Sequence, residues 1–355
     1  MPPKLRRRLF RYWPHLRHFL IGTLVGVLIL GLFKVIPPAF SLLKSFSLGS
    51  SIFWSVVTNR PLILKETSGR TNILLLGKPG GNHEGADLTD TIIFSSINLK
   101  TEDITVVSLP RDIWVSSLKN KINSAYEIGE EKKEGGGMIL TKAVVSDILG
   151  QPIHYVALID FSGFKKLVDL LGGLEIEVEE AFDDYKYPLE GKENDLCDGD
   201  PNYGCRFEHL HFDQGLQWMD GERVLKYVRS RQAEGDEGTD FARSRRQQKV
   251  LLALRAEILS RETFLNPGKI LAMKKIFGES IATDIQTTEI DDFLKIAKKI
   301  NSAKIETLVL DTGDKESGRE GLLVNPPTWE YNGTWVLLPR SGSWEEIQQY
   351  LNSQL

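Results

Sequence analysis

The sequence predicts an α/β fold in which helices flank a central mixed β-sheet, behind one hydrophobic N-terminal segment. Three observations predict it. Strand-like and helix-like segments intermix along residues 71–262, which is the pattern of a sheet covered by helices. Two consecutive strands are joined by the short turn LKTED, which favours an antiparallel hairpin. A run of uncharged apolar residues precedes them all.

Charge is distributed unevenly along the chain. The 355 residues carry a net charge of −4, and 41% are hydrophobic and 26% charged, which is ordinary for a globular protein. No acidic residue precedes Glu66, whereas residues 1–18 are crowded with basic ones: Lys4, Arg6, Arg7, Arg8, Arg11 and Arg17. The remainder is therefore acidic, which argues against a nucleic-acid-binding body.

Residues 19–36 predict a transmembrane helix. The stretch from Phe19 to Phe33 is uncharged, and Lys34 can extend its ammonium group to the interface, so that about 18 residues can span. The basic segment 1–18 predicts a cytoplasmic N-terminus and an extracytoplasmic body. A cleavable signal peptide is the alternative, although no clear small-residue cleavage site follows. Residues 37–70 then form a stalk.

The folded body begins near residue 71. Its apolar patterns predict strands over residues 72–77, 91–99, 103–115, 154–160 and 175–179. Helices are predicted within residues 135–149 and over 164–171, 222–229 and 241–260. The stretch 181–221 is predicted to be rich in loops. Residues 263–355 predict two helices, strands at 305–310 and 334–338, and a last helix at 344–351. They form either an extension of the domain 71–262 or a small second domain.

The only two cysteines, Cys197 and Cys205, lie eight residues apart in a loop rich in Gly, Pro and Asn. Outside the membrane such a pair predicts one structural disulfide. Metal binding is the alternative, because His209 and His211 follow closely.

A glycine-rich loop leaves the first strand at Gly77 and returns into the second at Thr91, with Asp87 and Asp90 near its end. Glycines let the backbone approach a ligand closely, and carboxylates at a strand end suit Mg²⁺. The loop lacks the Gly-Lys-[Ser/Thr] of a P-loop. A simple turn in which Asp90 caps backbone amides is the alternative.

The segment SLPRD interrupts an apolar strand. Pro110 cannot donate to a sheet ladder and therefore marks a bulge or a strand edge, where side chains are often aimed at a site. Arg111 and Asp112 follow it, and Lys121 adds a cation near the same edge. An exposed ion pair between Arg111 and Asp112 is the alternative.

An arginine cluster is the strongest signal for phosphate. Arg243 and Gln247 share one helical face with Arg246, and this face continues into an apolar stripe that turns into the fold. Asp240 is a predicted N-cap. Guanidinium groups match phosphate oxygens in pairs, so the cluster predicts a site for more than one phosphate. Structural ion pairing is the alternative. The cluster comprises Arg229, Arg231, Arg243, Arg245 and Arg246.

Six segments in this order, behind an apolar N-terminal run, resemble the LytR-CpsA-Psr family of cell-wall glycopolymer phosphotransferases. They are NILLLG, LTDTIIFSSINLKTEDITVVSLPRD, KIN followed by A-Y, DFSGFKKLVDLLGG, MDG with LKYVRSR, and DFARSRRQQ.

The resemblance implies an α/β/α sandwich with a long apolar pocket that holds a polyprenyl chain. It implies that a sugar hydroxyl of peptidoglycan attacks the glycopolymer-linked phosphate, and that polyprenyl phosphate leaves. Catalytic roles fall on Asp90, Arg111 and Asp112, and Asp90 with Asp87 would hold Mg²⁺ or Mn²⁺. The implied phosphate ligands are Arg111, Lys121, Arg229, Arg231, Arg243, Arg246 and Gln247.

Two departures from the family pattern stand in the glycine-rich loop. Lys78-Pro79 follows Gly77 where the family commonly has an aspartate, and Leu88 stands where it commonly has an arginine. Lys78, His83, Glu84 and Asp87 are candidate substitutes. The departures keep two alternatives open: a non-catalytic protein that binds the carrier lipid or the wall, and a polyprenyl-pyrophosphate hydrolase on the same scaffold.

Overall fold

The computed structural model describes residues 62–355, apart from 82–84, 190, 193, 265, 287, 300–303 and 315–317. The basic segment 1–18, the predicted transmembrane helix 19–36 and the stalk up to residue 61 lie outside the described residues. Within the described part of the chain, no helix combines the length and the apolar character that a membrane span requires.

The described residues form sixteen strands and nine α-helices. The strands are β1 (Arg70–Lys78), β2 (Thr91–Asn98), β3 (Ile104–Ser108), β4 (Trp114–Val115), β5 (Asn120–Lys121), β6 (Tyr155–Asp160), β7 (Leu174–Val178), β8 (Phe182–Pro188), β9 (Phe207–Phe212), β10 (Gly215–Met219), β11 (Ile281–Thr283), β12 (Ile305–Val309), β13 (Gly313–Asp314), β14 (Arg319–Glu320), β15 (Leu323–Val324) and β16 (Leu338–Pro339). The helices are α1 (Ala125–Lys132), α2 (Gly136–Leu149), α3 (Phe161–Leu171), α4 (Gly221–Arg229), α5 (Asp240–Ile258), α6 (Arg261–Phe264), α7 (Pro267–Ser280), α8 (Ile290–Lys299) and α9 (Glu345–Gln354).

A six-stranded sheet in the order β11-β6-β1-β2-β3-β12 forms the centre of the fold. The strand β1 pairs antiparallel with β2 and parallel with β6, and β2 pairs antiparallel with β3. The predicted hairpin between the second and third strands and the predicted mixed sheet with flanking helices are therefore confirmed.

One face of the central sheet packs against helices in a hydrophobic core. Alternate side chains of the inner strands, among them Leu74, Phe94 and Val156, pack against α2 and α9. Leu74 and Phe94 are directly opposed on neighbouring strands. Directly opposed residues point to the same face of a sheet, so both side chains enter this core. Val145 and Ile347 close the layer from the helix side.

The opposite face of the sheet is less tightly covered. Ile73, Leu75, Val106 and Ala157 are only half-buried, although they lie on central strands. The N-terminal half of α5 lies against the end of this face, where Gln248 Nε2 donates to Ser108 Oγ at 3.0 Å.

The C-terminal segment completes the central sheet. Its strand β12 pairs in parallel with β3, and β11 pairs antiparallel with β6. Both edge strands of the central sheet therefore come from residues beyond 263.

Two sequence-based strand boundaries were wrong. The predicted strand 103–115 ends at Ser108, because Pro110 begins a turn in which Ile113 N donates to Pro110 O at 3.3 Å. The stretch 181–221, predicted to be rich in loops, also contains the three strands β8 to β10. In the C-terminal segment, the strand predicted at 334–338 shrinks to the two residues of β16.

The cysteine loop is closed by a disulfide between Cys197 and Cys205, whose Cα atoms lie 5.5 Å apart. Among the described residues, the one group with metal-ligand spacing is Asp195 with these two cysteines. Since both sulfur atoms are used in the disulfide, neither thiolate is available to a metal ion.

His154 makes the folded state sensitive to acid. Its Nδ1 accepts a hydrogen bond from the backbone of Asn72 at 2.8 Å, and its Nε2 lies 2.9 Å from the hydroxyl of Thr67. Burial, helped by the charge of Lys142, lowers the pKa of His154 below its ordinary value of 6.5. The folded protein therefore binds fewer protons than the unfolded chain near this pH, and its stability falls as pH drops below 6.5.

We expect the free energy of unfolding to decrease between pH 7.5 and pH 5.5, and to decrease less in a His154→Gln variant. The measurement is denaturant unfolding of both proteins at the two pH values. An equal pH dependence in the two proteins would contradict the assignment to His154.

Candidate active site

The glycine-rich loop folds back over the end of β1. Gly80 has a φ of +69°, and a Cβ there would lie 2.8 Å from the Cβ of Asp160, so glycine is needed at this position. Lys78 Nζ donates to Asp87 Oδ1 at 2.6 Å and lies 5.0 Å from the centre of the Tyr126 ring. Asp87 is therefore neutralised by Lys78. His83 and Glu84, the other candidate substitutes, lie outside the described residues.

A chain of alternating charges links the two polar segments at the strand ends. Arg111 Nη1 donates to Asp90 Oδ1 at 2.5 Å, and Arg111 Nε lies 3.6 Å from Asp112 Oδ2. Lys121 Nζ donates to the other oxygen of Asp112 at 2.6 Å. The short hairpin of β4 and β5 brings Lys121 back to this point. Asp112 is buried between two cations, which suits a residue that orients Arg111 better than a proton acceptor.

The helix α5 begins at Asp240, one residue later than its cap. Thr239 is the N-cap, and its hydroxyl accepts from Ala242 N at 3.1 Å, so the N-cap predicted at Asp240 was wrong. The first turns of the helix carry Arg243 and Gln247. Gln247 Nε2 donates to Thr91 Oγ1 at 3.1 Å, which fixes this face of the helix against the start of β2.

A pocket of about 600 Å³ opens between these segments. It brings together Asp90, Arg243 and Gln247 from the predicted set. Pro110 of the SLPRD turn lies in the same wall, whereas Arg111 is not a lining residue and is linked to the pocket by its bond to Asp90. The positive end of the α5 dipole adds to the field there. The pocket therefore combines a carboxylate, guanidinium groups and an amide at one strand edge, an arrangement suited to phosphate oxygens and a hard cation.

Arg246 has a structural position. Its side chain is 2% exposed and donates to the carbonyl oxygens of Tyr227, Ser230 and Glu237 and to the Glu237 carboxylate, at 2.6–2.9 Å. Burial lowers the pKa of Arg246, while Glu237 opposes this, and burial raises the pKa of Tyr227 to about 12. Because these groups occupy its guanidinium, we leave Arg246 out of the phosphate-binding set.

Arg229 is the last residue of α4 and Arg231 lies two residues beyond it, and neither of these predicted phosphate ligands lines the pocket. The guanidinium of Arg229 stacks over the Phe161 ring at 4.7 Å and lies 5.8 Å from the centre of the Tyr187 ring. Arg231 is exposed, and its backbone N donates to the buried Asp184 at 3.3 Å. Asp184 also accepts from the Ser230 hydroxyl at 2.7 Å, so this carboxylate holds the loop that carries Arg231.

Sequence reasoning missed several residues of the pocket wall. They come from the 3₁₀ turn and the N-cap before α5 and from the C-terminal segment: Asp236, Thr239, Asp311, Thr312, Arg319 and Trp335. Their local patterns carried no signal for a site, because the packing of distant segments brings them to the pocket.

The chain is similar to a family of known proteins. The LytR_cpsA_psr family model matches residues 46–348. The polyisoprenyl-teichoic acid–peptidoglycan teichoic acid transferase TagV of Bacillus subtilis (strain 168) is 27% identical over 273 residues, which are 75% of this chain and 60% of that protein. The similarly named TagU of Oceanobacillus iheyensis is 29% identical over 228 residues, 63% of this chain and 61% of that protein. The chain thus spans about 60% of the length of these relatives.

Solved structures share the fold. The crystal structure of B. subtilis TagV superposes with a TM-score of 0.56 at 24% identity, covering 82% of this chain and 98% of that one. TagT bound to LI-WTA superposes with a TM-score of 0.53 at 22% identity, covering 82% of this chain and 94% of that one. At this level of identity the superpositions establish the α/β architecture.

Proposed function

Because the chain belongs to the LytR_cpsA_psr family, we propose that it transfers a glycopolymer from a polyprenyl pyrophosphate carrier to a hydroxyl of peptidoglycan. One observation carries the proposal: a single pocket holds Asp90, Arg243 and Gln247 beside Arg111. The printed names of TagV and TagU, which describe transfer of teichoic acid to peptidoglycan, support the same class of reaction.

The pocket residues would have different roles in phosphoryl transfer. Arg243 and Gln247 would bind the phosphate oxygens, and Arg111 would stabilise the charge that develops on the transferred group. The acceptor oxygen forms a bond to phosphorus while the bond to the polyprenyl phosphate breaks. The hydroxyl proton passes to solvent. Asp112 and Lys121 orient Arg111 through the charge chain described above.

A divalent cation fits the donor set at Asp90. Mg²⁺ is commonly held by one or two carboxylates together with substrate phosphates and water, and Asp90 presents such a carboxylate to the pocket. When bound, Mg²⁺ or Mn²⁺ would offset charge on the phosphate oxygens. Asp90 and Asp87 are both paired with a cation, but Asp87 does not line the pocket and is therefore the weaker candidate for a ligand.

The apolar run 19–36 and the basic residues before it support a location at the membrane. We propose that residues 19–36 anchor the chain in the cell membrane with residues 1–18 in the cytoplasm. The body would then face the wall, where both the carrier lipid and the peptidoglycan acceptor can reach the pocket.

An Asp90→Asn substitution tests the metal role. We expect the full chain to move a labelled glycan from polyprenyl pyrophosphate to peptidoglycan in the presence of Mg²⁺, and the variant to be slower by about 100-fold. The Asp87→Asn variant is the matched control and is expected to keep the Mg²⁺ dependence of the wild type. Equal rates in Asp90→Asn and wild type would remove Asp90 from the mechanism.

The same assay separates the alternatives for the whole protein. Labelled glycan released into water without reaching peptidoglycan would indicate the hydrolase. Binding of the labelled lipid without any turnover would indicate a protein that only binds the carrier.

A further inference from the structure

The pocket has a second wall that phosphate binding leaves unused. The first wall carries the residues assigned above to phosphate and metal. The second comes from the C-terminal segment and presents a carboxylate, a hydroxyl, a guanidinium and an indole: Asp311, Thr312, Arg319 and Trp335.

The position of Trp335 is set by backbone hydrogen bonds of Leu337, two residues further along the chain. Leu337 N donates to Asp112 O, and Leu337 O accepts from Trp114 N, both at 2.9 Å. Val336 is buried, whereas Leu337 and Trp335 both line the pocket. Trp335 nevertheless stays 41% exposed. A fixed backbone therefore presents a large flat apolar surface to solvent inside a polar pocket.

Two polar side chains of the same wall, Asp311 and Arg319, are held in place by hydrogen bonds. Arg319 donates to both oxygens of Asp311, at 3.0 and 2.6 Å, and Gly313 N donates to the same carboxylate at 2.9 Å. A Cβ at Gly313 would lie 2.3 Å from Arg319 O, so the backbones of β13 and β14 approach closely beside this pair. About half of the Arg319 side chain is still exposed.

A sugar ring matches this combination. The C–H face of the sugar is apolar and can stack on an aromatic ring. This stacking is favourable because it removes both apolar surfaces from water. The hydroxyl edge of the sugar needs donors and acceptors at fixed places, which Arg319 and Asp311 supply. A polyprenyl chain would need a continuous apolar lining, whereas this wall interrupts its apolar residues (Val309, Leu310, Trp335 and Leu337) with Asp311, Thr312 and Arg319.

We propose that Trp335, Asp311 and Arg319 form a subsite for the sugar that is linked directly to the carrier pyrophosphate. The inference rests on the proposed function, because it places that sugar next to phosphates bound by Arg243 and Gln247. Both walls belong to one pocket of about 600 Å³, so a sugar bonded to the bound phosphate reaches Trp335 without a second cavity. The subsite selects a glycan-bearing lipid over the bare carrier.

The test compares two ligands on the full chain in detergent micelles. One ligand is bare polyprenyl pyrophosphate, and the other is the same lipid carrying one N-acetylhexosamine. No peptidoglycan is added, so that the acceptor takes no part. We expect the wild type to bind the sugar-bearing lipid at least about tenfold more tightly, a difference that a stacked ring and its hydrogen bonds commonly supply. Trp335→Ala is expected to abolish this preference and to leave the affinity for the bare lipid within about twofold.

Two variants serve as controls. Trp335→Phe keeps an aromatic face and should retain most of the preference. Trp329→Ala removes a Trp of the same segment that is 77% exposed and lies away from the pocket lining, and it should bind both lipids as the wild type does.

The outcomes separate the subsite from the function on which it rests. Equal binding of both lipids by the wild type, or a preference that survives in Trp335→Ala, would overturn the subsite and leave the transferase proposal standing. Failure of the wild type to bind either lipid would instead count against the transferase proposal itself.

Discussion

An Arg243→Ala variant is expected to transfer glycan about 100- to 1,000-fold more slowly than the wild type, the range found when one preorganised donor to a developing charge is removed. Arg243 is buried at the first turns of α5 and lines the pocket. A buried guanidinium acts on phosphate with little screening by water, which makes its loss costly. The measurement is the rate of label transfer to peptidoglycan under saturating Mg²⁺.

Two further variants make the result specific. Arg243→Lys keeps the charge but loses the two-pronged geometry, so a partial loss is expected. Lys249→Ala removes a cation from the same helix, where it pairs with Glu179 at 2.8 Å, and it should stay within about twofold of the wild type. A rate for Arg243→Ala as high as that of Lys249→Ala would show that Arg243 does not contact the reacting phosphate.

A Glu237→Gln variant is expected to lose about 3 kcal/mol or more of unfolding free energy, since breaking a buried ion pair leaves its partner uncompensated. Glu237 is 13% exposed and lies 2.6 Å from the buried Arg246. The three carbonyl oxygens around Arg246 stay in place in the variant, but none of them carries a full negative charge. Thermal or denaturant unfolding of the full chain measures the change.

The control for this variant is Glu262→Gln, which removes a carboxylate that is 82% exposed and 3.8 Å from Lys269. Its effect should stay below about 0.5 kcal/mol, as for other exposed ion pairs. Replacing both partners, Glu237→Gln with Arg246→Met, should recover part of the loss. If Glu237→Gln is as stable as Glu262→Gln, the buried pair does not stabilise this fold.

Much of the sheet could be predicted because its signals are local. The apolar runs of β1 and β2 and the short turn after β2 lie next to each other in the sequence. The break after β3 also had a local signal in Pro110, yet the predicted strand was continued to residue 115. A proline that removes a ladder hydrogen bond was a better guide there than the apolar residues that follow it.

The candidate site was only partly predictable, for two physical reasons. Helical spacing predicted that Arg243, Arg246 and Gln247 share one side of α5, but it could not say which of them is enclosed by α4. In the fold Arg246 reaches the carbonyls at the end of α4, whereas Gln247 reaches Thr91. The sequence around Trp335 gave no signal for the pocket, because the position of this residue depends on the β-bridge between Ile113 and Leu337.

The order in which the central sheet is assembled along the chain has a consequence for biosynthesis. Ribosomes make the four inner strands first, and β11 and β12, which cover the two edges, follow only near the end. Until then the nascent chain carries a sheet with unpaired edges on both sides, the condition in which strands add to foreign partners. Both edges of the sheet are therefore paired only after translation has passed β12. A chain terminated before that point would expose unpaired strand edges and would be prone to aggregate.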